Sequence, residues 1–323
     1  MKIKNRRLKI LIFSITLLVA VFSIFYWKKF IKQVSEQEKI VPFSWIPIVS
    51  FSTGNLPCFY VEIEGQKYET VLDLGFAGQF SIFSELIPQI QNKTFVSTKS
   101  VCNWRGTEYQ NPHYRVPGLC LGNITFNNAL LEEESAAEDK ESIIGKANTN
   151  HTHSPMKLGW KLFRSLGLTL FMDFKHGMIA ICDNINTFTQ YGYKLEKFVK
   201  TPALLDEGII EMDTSTSDGS LRCFLDTGCT YNFWNDDYSL EEVEERIKDE
   251  KCFTTISTVH IGGKDFGKMV FRPLPLKFDP QVQAILGMDF FFEHQVLIDF
   301  KNEQIYIAVS QEEDKPDGSK VRF

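Results

Sequence analysis

Cys223-Phe-Leu-Asp-Thr-Gly-Cys229 begins as an apolar run suited to a buried strand, sets an acid at the strand's end, and turns the chain with Thr and Gly. That order fixes a carboxylate on a rigid element while its oxygens still face a cleft. Alone, Asp-Thr-Gly is also an ordinary turn. Upstream stands a second copy, Val71-Leu-Asp-Leu-Gly-Phe-Ala-Gly78. Each copy has matching sequence before and after it, so the chain reads as one unit written twice with an acid in the same place.

Working outward, each acid ends a hairpin. Phe59-Tyr-Val-Glu-Ile63 alternates into Gly65, and Tyr68-Glu-Thr-Val-Leu72 leads directly to Asp73. In the second half Ile209-Ile-Glu-Met212, a polar turn through Ser217-Asp-Gly219, and Leu221 to Leu225 lead to Asp226. Further on, Leu121-Gly-Asn-Ile-Thr-Phe-Asn-Asn-Ala-Leu130 matches Ile261-Gly-Gly-Lys-Asp-Phe-Gly-Lys-Met-Val270, each a hairpin about a glycine. Then Lys157-Leu-Gly159 through Asp173-Phe-Lys175 matches Ile285-Leu-Gly287 through Asp299-Phe-Lys301. An order of acid, hydrophobic-Gly hairpin, Leu-Gly and Asp-Phe-Lys held in both halves is an internal repeat.

Spacing shows what each half adds. Asp73 to Gly122 is 49 residues against 36 from Asp226 to Gly262, and Gly122 to Gly159 is 37 against 25 from Gly262 to Gly287. One extra piece lies within Thr94 to Pro117, with Trp104 and Tyr109 in it. The other, Glu132 to Pro155, has the composition of a solvated loop. The second half carries its own helix, Ser239 to Lys251, with Ser239 and Glu242 as a capping box.

The 323 residues, 43 % apolar with 28 Phe, suit a globular body. A net charge of −6 and no long basic run leave no electrostatic footprint for nucleic acid. After Lys2, Lys4, Arg6, Arg7 and Lys9 come eighteen residues without a charge, Ile10 to Trp27, then Lys28 and Lys29. That run is about the shortest that spans a bilayer, no Ala-x-Ala-like cleavage site follows, and the basic excess places the N-terminus inside. The expected organisation is a basic tail (1–9), a transmembrane helix (10–27), a tether (28–50), lobes at 51–190 and 191–310, and a charged tail (311–323). The body then sits outside the cytoplasm. Seven cysteines form no CxxC pair and spell neither a zinc site nor a disulfide framework. His151-Thr-His153 is better read as a surface loop than as a metal site. His113, His176, His260 and His294 are scattered, and Asp173 and Asp299 read as strand-end acids.

Two lobes, each with apolar-apolar-Asp-x-Gly and a later apolar-Leu-Gly, resemble the aspartic proteases of the pepsin and retropepsin type, over roughly residues 55 to 310. The resemblance implies a mainly β fold of two pseudo-symmetric lobes with a cleft between them and a flap hairpin above. Asp73 and Asp226 would be the two catalytic acids, with no cofactor, no metal, and no oligomer needed to complete the pair. Two carboxylates held together share one proton, activate a water and protonate the carbonyl of an extended peptide. The departure is Leu74, where the family carries Thr or Ser whose hydroxyl ties the acid loops together; Thr227 keeps that hydroxyl. An active membrane-anchored endopeptidase is the first expectation. A protease-like module that binds extended peptides without cutting them is the alternative.

Overall fold

The acid-bearing hairpin of the first half shows how local sequence builds this molecule. The structure is a computed structural model that describes residues 43–52, 55–102, 108–134, 156–205, 208–217, 219–235, 255–274 and 281–309. Ahead of the hairpin stand β1 (Phe43–Pro47) and the short β2 (Ser50–Phe51). β3 (Pro57–Ile63) and β4 (Gln66–Asp73) then pair antiparallel from Cys58↔Val71 to Ile63↔Gln66. Glu64 and Gly65 turn the chain at φ 55° and 78°, the double positive φ that a two-residue hairpin loop requires. Asp73 is the last residue of β4.

β5 (Phe80–Phe83) follows the acid loop, then a long hairpin of β6 (Thr94–Cys102) and β7 (Glu108–Val116). This hairpin is the first extra segment anticipated above. β8 (Leu119–Leu121) and β9 (Ile124–Phe126) form the glycine-turned hairpin, with Gly122 at φ 60°. β10 (Ala129–Glu134) and β11 (Met156–Gly159) complete a ten-stranded sheet in the order β6-β7-β10-β5-β11-β4-β3-β8-β9, with β2 beside β3. β11 inserts between β5 and β4, parallel to β4 and antiparallel to β5. The strand after the acid is thus tied down through a later segment.

A short helix α1 (Lys161–Ser165) leads to β12 (Thr169–Asp173) and β13 (Met178–Cys182), and α2 (Asn186–Gln190) to β14 (Val199–Pro202). The second half repeats the plan. β15 (Leu204–Leu205), β16 (Ile210–Thr216), β17 (Gly219–Leu225), β18 (Phe233–Asn235), β19 (Thr255–Ile261), β20 (Lys264–Leu274) and β21 (Ala284–Leu286) form a seven-stranded sheet. β21 pairs parallel with β17 and antiparallel with β18, as β11 does with β4 and β5. α3 (Met288–Glu293), β22 (His294–Asp299) and β23 (Gln304–Val309) follow.

A third sheet, β1-β13-β12-β22-β23-β14, joins the halves. Its centre is the antiparallel pair β12–β22, from Thr169↔Asp299 to Met172↔Val296, and every residue of both strands is buried. Each half contributes three strands in mirrored order. Both Asp-Phe-Lys repeats end its central strands: Asp173 accepts from His176 Nδ1 at 2.8 Å and Gln295 Nε2 at 2.6 Å, and Asp299 accepts from the Asn302 backbone at 3.0 Å. They are strand-end acids, Asp299 with a local partner and Asp173 with one local partner and one from the other half's central strand. One face of this sheet carries a core cluster of Phe43, Phe171, Ala180, Cys182, Phe188, Tyr193 and Leu297.

Two expectations need correcting. The span read as a tether to residue 50 enters the body by residue 43, since β1 is an edge strand of the shared sheet with Phe43 and Ile46 buried. The acidic run opening at Glu132 is not solvated loop at its start. Glu132 and Glu134 lie in β10 and are buried, because Asn111, His113 and Lys157 offer them partners. The transmembrane helix, the helix at 239–251, the remainder of the loop from 135, Trp104, His151, His153 and the C-terminal tail lie outside the described residues. No described helix is long and apolar enough to cross a membrane.

Candidate active site

β4 and β17 each bring an acid to the same place from sequence positions 153 residues apart. A β-carbon at Gly75 would lie 2.5 Å from Asp226 Oδ1 and 2.7 Å from its Cγ. A β-carbon at Gly228 would lie 2.5 Å from Asp73 Oδ1 and 2.6 Å from its Cγ. Each carboxylate is seated against the bare α-carbon of the other half's acid loop, closer than any side chain permits. The two acids therefore meet across a two-fold arrangement.

Backbone donors hold each acid in place. Asp73 Oδ1 accepts the Phe76 N–H at 3.0 Å, and Asp226 Oδ1 accepts the Gly228 N–H at 2.8 Å. Below them the bracing glycines do matching work. A β-carbon at Gly159 would overlap the carbonyls of Phe76 and Gly78, and one at Gly287 those of Cys229 and Tyr231. The Asp226 N–H donates to the Leu286 carbonyl at 3.0 Å, and the Gly287 N–H to Asn232 Oδ1 at 3.0 Å.

The tie between the acid loops is one-sided. Thr227 Oγ1 accepts the Leu74 N–H at 3.0 Å and donates to the Leu72 carbonyl at 2.8 Å. Leu74 is fully buried at the same seam, and its side chain has no oxygen with which to reciprocate. Thr227 makes both hydroxyl contacts across the seam, and Leu74 meets it with apolar packing.

Both acids keep part of their surface open, yet both lie deep. Burial pushes the Asp73 carboxyl up, the Lys157 ammonium draws it down, and Glu134 raises it. Burial pushes Asp226 up most, and the neighbouring Asp73 charge and hydrogen bond push it further. Like charges this close do not both ionise, so the pair retains one proton well above the usual carboxylate range. Cys229, next in the loop, is held in its thiol form by burial and then by Asp226. Cysteines 58, 120, 182, 223 and 229 are free thiols.

Other residues singled out in the sequence go elsewhere. His113 faces Glu132 at 3.3 Å, His176 bonds to Asp173, and His294 stacks on Phe290 at 4.4 Å between ring centres. Tyr109 lies on β7, partly buried in the long hairpin. Sequence reading passed over Lys157 and Glu134, which join in an ion pair at 2.8 Å beside Asp73. The available signal was a cation in Lys-Leu-Gly where the second half has Ile-Leu-Gly.

This is the acid-protease fold, mainly β and two-fold in plan. Among solved structures the chain is similar to an aspartic proteinase from Irpex lacteus, with TM-score 0.53 and 11 % identity over 84 % of this chain and 99 % of the other. It is also similar to basic 7S globulin from soybean, with TM-score 0.58 and 10 % identity over 84 % and 95 %. One of these is named for proteolysis and the other is not, so the shared fold leaves activity to the site. No family model matches the chain, and no curated protein matches it by sequence.

Proposed function

We propose that this protein is a membrane-anchored aspartic endopeptidase in which Asp73 and Asp226 are the catalytic acids. The observation that carries the reading is the reciprocal seating of each carboxylate on the other half's glycine. Bringing two acids together in a half-buried site costs stability, and such expense is characteristic of a working site. The ionised member takes a proton from water as its oxygen attacks the peptide carbonyl, and the protonated member gives its proton to the carbonyl oxygen. The long β6–β7 hairpin occupies the sequence position of a flap. An extended peptide held by backbone hydrogen bonds is the substrate class such a groove takes.

The test uses the detergent-solubilised full chain on an unstructured protein from acidic to neutral pH. D73N and D226N should each lower cleavage by roughly 10²–10⁴-fold. Equal cleavage by wild type and D226N removes the acids from the mechanism. A second reading, a module that binds extended peptides without cutting, is favoured by the buried Leu74 and its one-sided tie. Retention of a peptide by a wild type that cleaves nothing would select it.

Anchoring rests on the uncharged run Ile10 to Trp27 with its basic flanks, N-terminus inside and the body outside the cytoplasm. The full chain should stay with membranes through alkaline carbonate, and deletion of residues 1–27 should release it. Release of the intact chain by carbonate refutes the anchor.

A further inference from the structure

The acid motif is written twice, but the position two residues before the bracing glycine is not. It is Lys157 in the first half and Ile285 in the second. Ile285 belongs to an apolar cluster with Phe224, Phe233, Leu274 and Val282. Lys157 sits on a polar row instead. β11 places Lys157 opposite Val71 and Gly159 opposite Asp73, so Lys157 and Asp73 are diagonal neighbours on one face of the sheet. With strands about 4.8 Å apart and about 3.3 Å of rise per residue, such neighbours are about 8 Å apart, within reach of a long side chain.

The same register runs on toward the long hairpin. Lys157 lies opposite Ser81, Ser81 opposite Glu132, and Glu132 opposite His113. Lys157 Nζ meets Glu134 Oε2 at 2.8 Å, with the Glu134 side chain 5 % and the Lys157 side chain 27 % exposed. Glu132 accepts from Asn111 Nδ2 at 2.9 Å. Ser81 Oγ is buried in this row with no hydrogen-bond partner among the described residues. An ammonium held here by a buried acid is a fixed charge on one side of a two-fold pair, and the matching position on the other side is the apolar Ile285.

We infer that Lys157 is a positioning residue that breaks this symmetry, holding the negative charge on Asp73 and leaving the proton on Asp226, with Glu134 setting how strongly. The inference rests on the endopeptidase reading for its catalytic meaning. Asp73 then receives the proton of the attacking water, and Asp226 passes its own to the carbonyl oxygen. The electrostatics agree: Lys157 draws Asp73 down against burial and Glu134, whereas Asp226 is raised by burial and by Asp73. Among the described residues the charged and titratable groups around the pair are Lys157 and Glu134 beside Asp73, Glu132, His113 and Lys99 further along the row, and Cys229, Asp289 and the Arg272 that draws Asp289 down on the second half's side.

The experiment compares full-length wild type, K157M, K157R and E134Q. One readout is the pH profile of kcat/KM on fluorescein-labelled casein. The other is the carboxyl carbon-13 NMR titration of Asp73, assigned with D73N and D226N. K157M should move the acid limb and the Asp73 titration up by about one pH unit, the low end for a lost opposite charge because Glu134 offsets part of it. E134Q should move both down, and K157R should stay near wild type. A purely structural role predicts no opposed movements. Asp73 titrating in K157M where it does in wild type overturns the inference, whether or not any form cleaves. A displaced titration in K157M, alongside a wild type that cuts nothing, upholds Lys157's role and sinks only the endopeptidase reading. If K157M does not fold, the direction in which E134Q moves the titration decides.

Discussion

At Leu74 the first acid loop carries a hydrocarbon where the second carries the Thr227 hydroxyl, at the seam between the two halves. Thr227 consequently serves both backbone partners across the seam, the Leu74 N–H and the Leu72 carbonyl. Both residues are buried, so neither group can turn to water if the hydroxyl is lost. A buried group left without its partner costs about 1–3 kcal/mol. T227V keeps the shape and removes the oxygen, and should lower stability by about 2–3 kcal/mol, read as a fall in the urea midpoint with an unchanged slope. T227S, which keeps the hydroxyl, should fall by less. If T227V unfolds with wild type, the surviving half of the tie holds nothing, and Leu74 packing alone keeps the acid loops in register.

At the scale of elements, what was legible in the sequence is what local chemistry dictates. Alternation through Tyr68 to Leu72 and the Glu64-Gly65 turn specify a hairpin without reference to the rest of the chain. The Leu-Gly repeats were legible for a sterically simple reason: only glycine lets β11 and β21 run beneath the acid loops. Long-range pairing was not legible. Val296-Leu-Ile298 and Leu170-Phe-Met172 are apolar throughout, so nothing in either strand names the other as its neighbour, and the shared sheet emerges only in three dimensions. β1 was hidden similarly, because Pro42 and Pro47 read as linker while Phe43 and Ile46 pack inward at a sheet edge, where proline is tolerated. Glu132 and Glu134 misled most. Acids in a run signal solvent unless partners arrive from elsewhere, and here those partners, His113, Asn111 and Lys157, stand on two other strands.

For the whole molecule, the acid pair is a place where the halves work against each other. Each half brings a carboxylate that is ordinary when the chain is unfolded and raised when it is folded, by burial first and, for Asp226, by its opposite number next. An acid raised in the folded state binds its proton more tightly there. The fold therefore gains from that proton at low pH and loses the gain as pH climbs from the ordinary carboxylate range through the raised value. Near neutrality wild type carries this cost, and D226N, which cannot ionise at that position, does not. Each tenfold difference in proton affinity between the folded and unfolded chain is worth about 1.4 kcal/mol, so at about pH 7 D226N should melt at least roughly 2–4 °C above wild type. The two melting curves should converge as pH falls below the ordinary carboxylate range, because both positions are then neutral in both proteins. Losses from other acids at low pH are common to both and cancel in the difference. A D226N that melts below wild type at neutral pH would mean that Asp226 is held by favourable partners rather than opposed by Asp73, and the acids would then be two separate strand-end caps instead of one pair.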